Sequence, residues 1–448
     1  MIDRGGPLAD HVILISVDGM RPEFHMNERW PAPTIQQLCW EGAYAHAVRG
    51  VFPALTYPAH TTMVTGALPA VHGIYFNEPF EPAGQTGRWY WDASKIRVLT
   101  IWDKVRSEGL TSAAVSWPAT VGACIDWNIP DVWPLDDFTD PMDPIRRTST
   151  PADLLEEVQR EAAGRLREEN FSIHRLARED RVGAIAAYLF ERYRPALLLV
   201  HLIGTDHVQH QLGLSNPQVR RSVAAADRAV GQILEAVERL QLRNRTAFII
   251  TGDHGTVDVH SELHPNAVLV GAGLMENRRD RGAWRATFHA SGGTAFLRLR
   301  DNADANAVQI VRDVLSRLPR GIRECFRVVE RQELDAVGAD PESVFALAAI
   351  PGIDFSDEAA EPILRAKAGA AHGYDPRIPE MFTGFVGSGA GFRSGAVVPV
   401  LPLENIAPLA AALLGLRFDC RDGVLYPGLL TTTGETAADT MISHHLHR

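Results

Sequence analysis

Cysteine is scarce in this 448-residue chain: Cys39, Cys124, Cys325 and Cys420 lie far apart, and no CxxC pair occurs. A cysteine zinc site is therefore not expected, and a chain this long needs no disulfide scaffold. Long apolar runs are missing too. No stretch reaches the roughly 18 residues of a membrane span. Met1 to Asp10 is polar and contains Gly-Gly-Pro, with no basic stretch leading into an apolar core. No signal peptide is read there. The expectation is a cytoplasmic protein, or a periplasmic or secreted one if a leader has been removed. Basic residues are not in excess either: 44 Lys plus Arg face 55 Asp plus Glu, a net charge of −11. That balance argues against polymeric nucleic acid as a partner, since phosphates call for basic surface. No membrane partner is expected, and the oligomeric state is open. Internal repeats and low-complexity tracts are absent as well.

What is present is ordinary globular composition, 46% hydrophobic and 22% charged. At about 150 residues per domain this means two to three domains, or one large α/β enzyme. His11-Val-Ile-Leu-Ile-Ser-Val17, Pro195 to Leu202 and Thr246 to Thr251 are apolar runs that suit strands buried on both faces of a parallel sheet. Between the last two, Val223, Ala226, Val230, Ile233, Leu234 and Val237 mark one face of a helix over Gln218 to Leu240. The predicted fold class is α/β, a mostly parallel central sheet flanked by helices. The stretch from about 284 to 360 reads differently. Strands at Thr294–Leu299, Phe326–Glu330 and Val344–Ala348 alternate with helices at Ala305–Leu318 and Gln332–Val337. This predicts a small α+β cap insertion, residues 261–368, in a discontinuous domain of residues 1–260 and 369–448. A last helix over Leu403 to Leu414 is capped by Gly415, and His444, His445 and His447 read as a solvated tail.

Each of the three apolar strands runs out into Asp near Gly or His: Asp18-Gly19, Gly204-Thr-Asp206-His207 and Gly252-Asp253-His254. Ligands of open α/β sheets bind beyond the carboxyl ends of the strands. Asp206 and His210 are four apart, so on a helix they share a face. His372 stands in a Gly-flanked loop. Taken alone, each Asp reads more readily as a turn or capping residue and each His as a satisfied polar residue. Three carboxylates and three imidazoles together suit Zn²⁺ better than Mg²⁺. Thr56 falls where Val51-Phe-Pro-Ala-Leu-Thr56 can turn into a helix, whose N-terminus favours an anion. A divalent ion can activate its hydroxyl as a nucleophile. The bland alternative is a helix-capping threonine.

These pieces resemble the alkaline phosphatase superfamily and are similar in particular to its nucleotide pyrophosphatase/phosphodiesterase family. The resemblance rests on Leu14-Ile-Ser-Val-Asp-Gly-Met-Arg-Pro22, Thr56-Tyr-Pro-Ala-His60 with Val64-Thr-Gly66, Pro69-Ala-Val-His-Gly-Ile74, Gly204 to His210, Thr251-Gly-Asp-His-Gly255 and His372-Gly-Tyr-Asp375. It implies an alkaline-phosphatase-like fold and two Zn²⁺ ions, with Mn²⁺ or Fe as substitutes. One ion would be held by Asp206, His210 and His372, the other by Asp18, Asp253, His254 and Thr56. Two Zn²⁺ against three aspartates leave a positive charge for a small phosphodiester or nucleotide. The implied reaction is hydrolysis of a phosphodiester or pyrophosphate bond through a phospho-threonine on Thr56.

The chain departs from the family where Asn usually follows three residues after the threonine and donates to a phosphoryl oxygen; here that residue is Ala59. Asn77 is the expected substitute, with a turn asparagine as its alternative reading. Trp89, Tyr90, Trp91, Trp117, Trp127 and Trp133, with Phe76 and Phe80, are candidates to line a substrate pocket or to fill the core. His260 and His264 read as solvated loop residues at the entrance to the insertion. The rival activities are a phosphonoacetate-hydrolase-like cleavage of carbon–phosphorus bonds and a phosphomonoesterase on the same metals. The first needs basic residues in its pocket, for which Arg88 and Lys95 are the candidates near the aromatics. Sulfatases are disfavoured because Thr56-Tyr-Pro-Ala-His60 lacks their Cys or Ser and their Arg. A non-catalytic phosphoester binder is disfavoured by the complete ligand set.

Overall fold

The computed structural model describes residues 6–278 and 280–431; the tail histidines lie outside them. The central sheet contains strands β1 (His11–Val17), β2 (Ala43–Arg49), β3 (Ser112–Val115), β4 (Trp127–Ile129), β5 (Leu197–Leu202) and β6 (Thr246–Thr251). Strands Thr383–Gly389, Val397–Val398 and Leu401–Pro402 complete it. Its order is Val397–Val398, β2, Thr383–Gly389, β6, β1, β5, β3, β4, with Leu401–Pro402 also on β2. The middle is parallel: β1 pairs in parallel with β5 and β6, and β3 with β5 and β4. Thr383–Gly389 runs antiparallel between β6 and β2.

The continuous apolar runs follow from this position. Ile13, Ile15 and Val17 of β1 enter one core, while Val12 and Leu14 enter the other. With both faces covered, no polar alternation is possible. The predicted helix is Pro217–Arg239, with Asn216 Oδ1 accepting from Gln218 N–H at its start. It packs on helix Ala177–Tyr193, and a Cβ on Gly183 would stand 2.7 Å from Ala229 Cα. The last helix opens with a 3₁₀ turn, Leu403–Asn405, and continues over Ile406–Leu413. Gly415 then takes the left-handed conformation (φ 67°) expected of a capping glycine.

A second sheet, four-stranded and antiparallel, has the order Phe326–Val329, Ala346–Ala349, Thr294–Leu299, Ala286–Ser291. Helix Ala305–Arg317 covers it around a separate apolar cluster that includes Phe288, Leu297, Val311 and Phe345. Strand Ala286–Ser291 is not among the expected strands; its sequence alternates apolar and polar residues, yet Thr287 and His289 are as buried as Ala286 and Phe288, so both faces are covered. The chain leaves the main sheet's neighbourhood after Val257–Asp258 and returns at Ala370–Ala371. These two short strands pair with each other, so exit and return lie side by side.

Candidate active site

The carboxyl ends of the parallel strands form the site. Asp18 follows β1 and Asp253 follows β6, whose neighbouring registers (Ser16 with Thr251) bring the two ends together. Helix Gly204–Leu212 begins just after β5 and carries Asp206 and His210. The buried Glu179 carboxylate holds its start by accepting the Gly204 N–H (2.8 Å). Gly19 is required between them: its φ is +67°, and a Cβ there would meet Gln209 Oε1 at 3.0 Å and Asp206 at 3.4 Å. Thr56 is the first residue of helix Thr56–Thr65, preceded by extended Leu55, and every residue of that helix is buried.

Side-chain distances bring these residues into one cluster. His254 Nε2 lies 3.1 Å from Asp253 Oδ2, 3.4 Å from Asp18 Oδ1 and 3.4 Å from Thr56 Oγ1. His210 Nε2 lies 3.3 Å from Asp206 Oδ2, and His372 Nε2 lies 3.9 Å from Asp206 Oδ1. Two triads have ligand atoms within 4.8 Å of one another: Asp18, Asp253 and His254, and Asp206, His254 and His372. The second contains His254 where the sequence pairing has His210. The His254 and His372 rings stack at 3.6 Å, while His210 meets His372 edge-on at 4.9 Å.

The backbone decides which nitrogen of each histidine faces the cluster. His254 Nδ1 meets the Gly255 carbonyl (3.1 Å), His210 Nδ1 the Ala370 carbonyl (2.8 Å) and His372 Nδ1 the Ala54 carbonyl (3.0 Å). A carbonyl only accepts, so each Nδ1 carries the proton. The His254 and His372 rings, held neutral by burial, then turn Nε2 lone pairs toward the carboxylates, and lone pairs facing lone pairs repel unless a cation lies between them. Backbone-anchored imidazoles of this kind are the usual outer support of metal ligands.

The carboxylates show the same deficit. Asp18 Oδ1, Asp206 Oδ1 and Asp253 Oδ2 are buried without a hydrogen-bond partner. Burial, then the neighbouring Asp253 and Asp206, pushes Asp18 well above the carboxylate range. Burial raises Asp206 to about 6 against the pull of His210, and burial raises Asp253. Burial holds His254 and His372 well below the usual imidazole range. Three desolvated carboxylates with neutral imidazoles are what a divalent cation would compensate. The mixed oxygen and nitrogen donors suit zinc.

Asn77 lies beside Thr56: its Oδ1 accepts the Tyr57 N–H at 2.9 Å. That bond orients the amide and leaves its NH₂ group to donate. Ala59 is fully buried in the apolar core with Met63 and Leu409. A side chain at that position faces the core rather than the cluster, so the expectation that position 59 serves the phosphoryl group is corrected. His264 is corrected too. It is buried, with Nε2 3.0 Å from Glu262 and Nδ1 on the Ala360 carbonyl, because it lies against the small sheet Ile353–Phe355, Ser261–Leu263, Leu364–Ala366. His260 is exposed, as expected.

Two histidines escaped the sequence reading. His201 puts Nε2 3.1 Å from Asp18 Oδ2 and Nδ1 on the Ser116 carbonyl. His60 puts Nδ1 on the Thr56 carbonyl and lies 3.8 Å from Asp253. The only signal in the sequence is a lone histidine inside an apolar strand and another inside a buried helix.

Two hollows meet at His210 and His372. One, of about 450 Å³, is mostly apolar and also touches Asp18, Thr56, Asn77 and Asp206. Trp89 and Trp133 line it. Trp117 is in the core, Trp127 stacks on Tyr193, and Phe80 packs against Trp284. The other, of about 970 Å³, is polar and bordered by Glu262, Asp354 and Lys367. Neither is lined by Arg88 or Lys95; Arg88 pairs with Asp92 and Lys95 is exposed.

A doubly wound sheet with aspartates and histidines at its carboxyl edge, facing a threonine at a helix N-terminus, is the alkaline-phosphatase class of architecture. Comparison with solved structures agrees. Human ectonucleotide pyrophosphatase/phosphodiesterase 5 superposes with a TM-score of 0.69 over 94% of this chain and 100% of that one, at 20% identity. The murine protein 5, in an inactive threonine-to-alanine form in complex with AMP, gives 0.67 over the same shares at 20% identity. The model of type I phosphodiesterase/nucleotide pyrophosphatase matches residues 12–375, and the chain belongs to that family. Among curated proteins, family member 3 of Rattus norvegicus is 23% identical over 54% of this chain and 24% of its own length. Family member 5 of Homo sapiens is 24% identical over 57% and 47%. A Schizosaccharomyces pombe pyrophosphatase/phosphodiesterase, itself uncharacterised, is 22% identical over 88% and 74%. The chain thus spans a quarter to a half of the first two.

Proposed function

We propose that this protein is a zinc-dependent phosphodiesterase/nucleotide pyrophosphatase that cleaves small phosphodiesters or nucleotides through a phospho-threonine on Thr56. The observation that carries this reading is the clustering of unpartnered oxygens of Asp18, Asp206 and Asp253 with the Nε2 atoms of His254, His210 and His372, beside a Thr56 hydroxyl that meets His254 Nε2 at 3.4 Å. Asp18, Asp253, His254 and Thr56 would hold one ion, and Asp206, His210 and His372 the other. Mn²⁺ or Fe would meet the same donors. When bound, the ions supply the charge that makes a threonine hydroxyl nucleophilic at neutral pH and offsets charge on the phosphoryl and leaving oxygens.

The chain's own residues do the rest. Helix packing and extended Leu55 fix Thr56 Oγ toward the cluster. Its attack on phosphorus forms the Thr56 O–P bond and breaks the bond to the leaving oxygen. Water then hydrolyses the phospho-threonine. The Asn77 NH₂, held by the bond from Tyr57 N–H, donates to a phosphoryl oxygen. The segment 261–368 serves as a cap over the 1–260 and 369–448 body. The carbon–phosphorus rival gains nothing from Arg88 or Lys95, which stay away from both hollows.

The test is initial rates of zinc-loaded protein on bis(p-nitrophenyl) phosphate, the p-nitrophenyl ester of thymidine 5′-monophosphate, and p-nitrophenyl phosphate. Diesters are expected to be the better substrates, and Thr56→Ala is expected to lose at least about 10³-fold in kcat/KM. Monoester preference, or activity that survives Thr56→Ala, would sink the reading.

A further inference from the structure

The apolar hollow holds one charged pair that the proposed chemistry does not use. Asp131 comes two residues after β4, so it is a fourth strand-end carboxylate on the same sheet edge. From β1 the order runs β5, β3, β4. Two strands stand between theirs, so Asp131 is set sideways along the edge from Asp18, yet near enough for its charge to raise the Asp18 carboxyl. That sideways offset suits a group carried beyond the phosphate. Its side chain is 12% exposed and lines the hollow. The Arg178 guanidinium approaches no closer than 3.8 Å, beyond hydrogen-bond length. The Tyr57 hydroxyl lies 3.4 Å from the Asp131 carbonyl.

Arg178 does not make this end of the hollow basic. It is 96% buried, being 4% exposed, and lies 3.8 Å from both Asp131 and Glu179. Its Nη2 donates to Ser116 Oγ. One cation between two carboxylates gives no welcome to an anionic group. Burial raises Asp131 to about 6 against the pull of Arg178 and the Tyr57 hydroxyl, and above that pH its carboxylate only accepts. The rest of the wall is flat and apolar: Trp89 and Trp133 meet edge to face at 5.0 Å. A planar ring with N–H groups on its far edge fits such a wall.

The geometry points to Asp131 as a specificity residue that selects guanine in the retained half of the substrate. This rests on the phosphodiesterase reading above. Guanine alone among the common bases presents two adjacent donors, N1–H and N2–H, to a bidentate carboxylate. Adenine and cytosine set a ring-nitrogen lone pair beside their amino group. Uracil flanks its N3–H with two carbonyl oxygens. In those three bases a lone pair would face the Asp131 carboxylate.

The test compares kcat/KM for the p-nitrophenyl esters of guanosine, adenosine and uridine 5′-monophosphates and for p-nitrophenyl phosphorylcholine, a cation without N–H. The wild-type guanosine-to-adenosine ratio is expected to be about 10 to 100. Asp131→Asn, which offers one donor and one acceptor, is expected to bring that ratio to about one or below. The ratio is taken within each protein, so a general loss of activity cancels. Equal wild-type rates, a ratio unchanged in Asp131→Asn, or a faster choline ester would overturn the assignment. Should Asp131→Asn fail to fold, the wild-type ratio decides alone. Hydrolysis of bis(p-nitrophenyl) phosphate without base preference would overturn this inference and leave the phosphodiesterase reading standing. No turnover of any diester would overturn both.

Discussion

His254 is the residue on which the site turns. Its Nδ1–H is fixed on the Gly255 carbonyl, and its Nε2 is within 3.4 Å of Asp253, Asp18 and Thr56. It also stacks on His372 of the second group. Among the cluster residues, His210 meets Asp206 and His372. Under the proposed ligation, His210→Gln and His254→Gln should each keep about one zinc per chain, since each removes a ligand from a different site, and the double variant should keep none. Metal analysis by atomic emission after dialysis checks this; loss of both ions in either single variant would contradict it. Asp18, Asp206, Asp253, His254, His210 and His372 were legible in the sequence because each sits at a strand end or on one helix face. His60 and His201 were not, because only folding brings them beside Asp253 and Asp18.

Among elements, the turn between strands Ala286–Ser291 and Thr294–Leu299 packs on the backbone of His372 and Gly373. Gly293 N–H donates to the His372 carbonyl (2.9 Å), and Thr294 Oγ to the Gly373 carbonyl (2.7 Å). A Cβ on Gly292 would stand 1.9 Å from the His372 oxygen, at a φ of +59°. Gly292→Ala should displace His372 and lower kcat/KM at least about tenfold, with far-UV circular dichroism unchanged. Unaltered kinetics would mean that the turn does not hold His372. The small sheet with strand Ser261–Leu263 carries a pH signature. Burial alone would raise Glu262, but bonds from Lys367 and His264 and the charge of Arg365 bring it down to about 2. A depressed carboxylate stabilises the fold above its unfolded value of about 4.3, and that stability is lost as pH falls toward 2. The melting-temperature gap between wild type and Glu262→Gln should therefore be full above pH 5 and shrink below pH 4. A gap independent of pH would refute the pairing. None of this was expected from the sequence, where His264 reads as a loop residue and no strand is placed at Ala286–Ser291.

Across the whole molecule, the cluster gathers residues from positions 18, 56, 206, 253 and 372, separated by whole layers of the fold. A ligand that binds only the folded arrangement stabilises it, by about 4 kcal/mol at a thousandfold excess over Kd. For a chain of this length that corresponds to roughly 4 °C per zinc ion. Calorimetry of chelated and zinc-restored protein should show that rise, and identical melting would deny the cluster a metal. The sequence by itself determined the α/β class, the strand ends and the residue types of the cluster, because apolar runs and the Asp and His that follow them are local features of the chain. Only the tertiary structure decided which nitrogen of each histidine faces inward, that Ala59 looks into the core while Asn77 flanks Thr56, and that Asp131 shares the hollow with Trp89 and Trp133. Those outcomes depend on the lateral order of the strands and on carbonyls from distant loops, which no local pattern encodes.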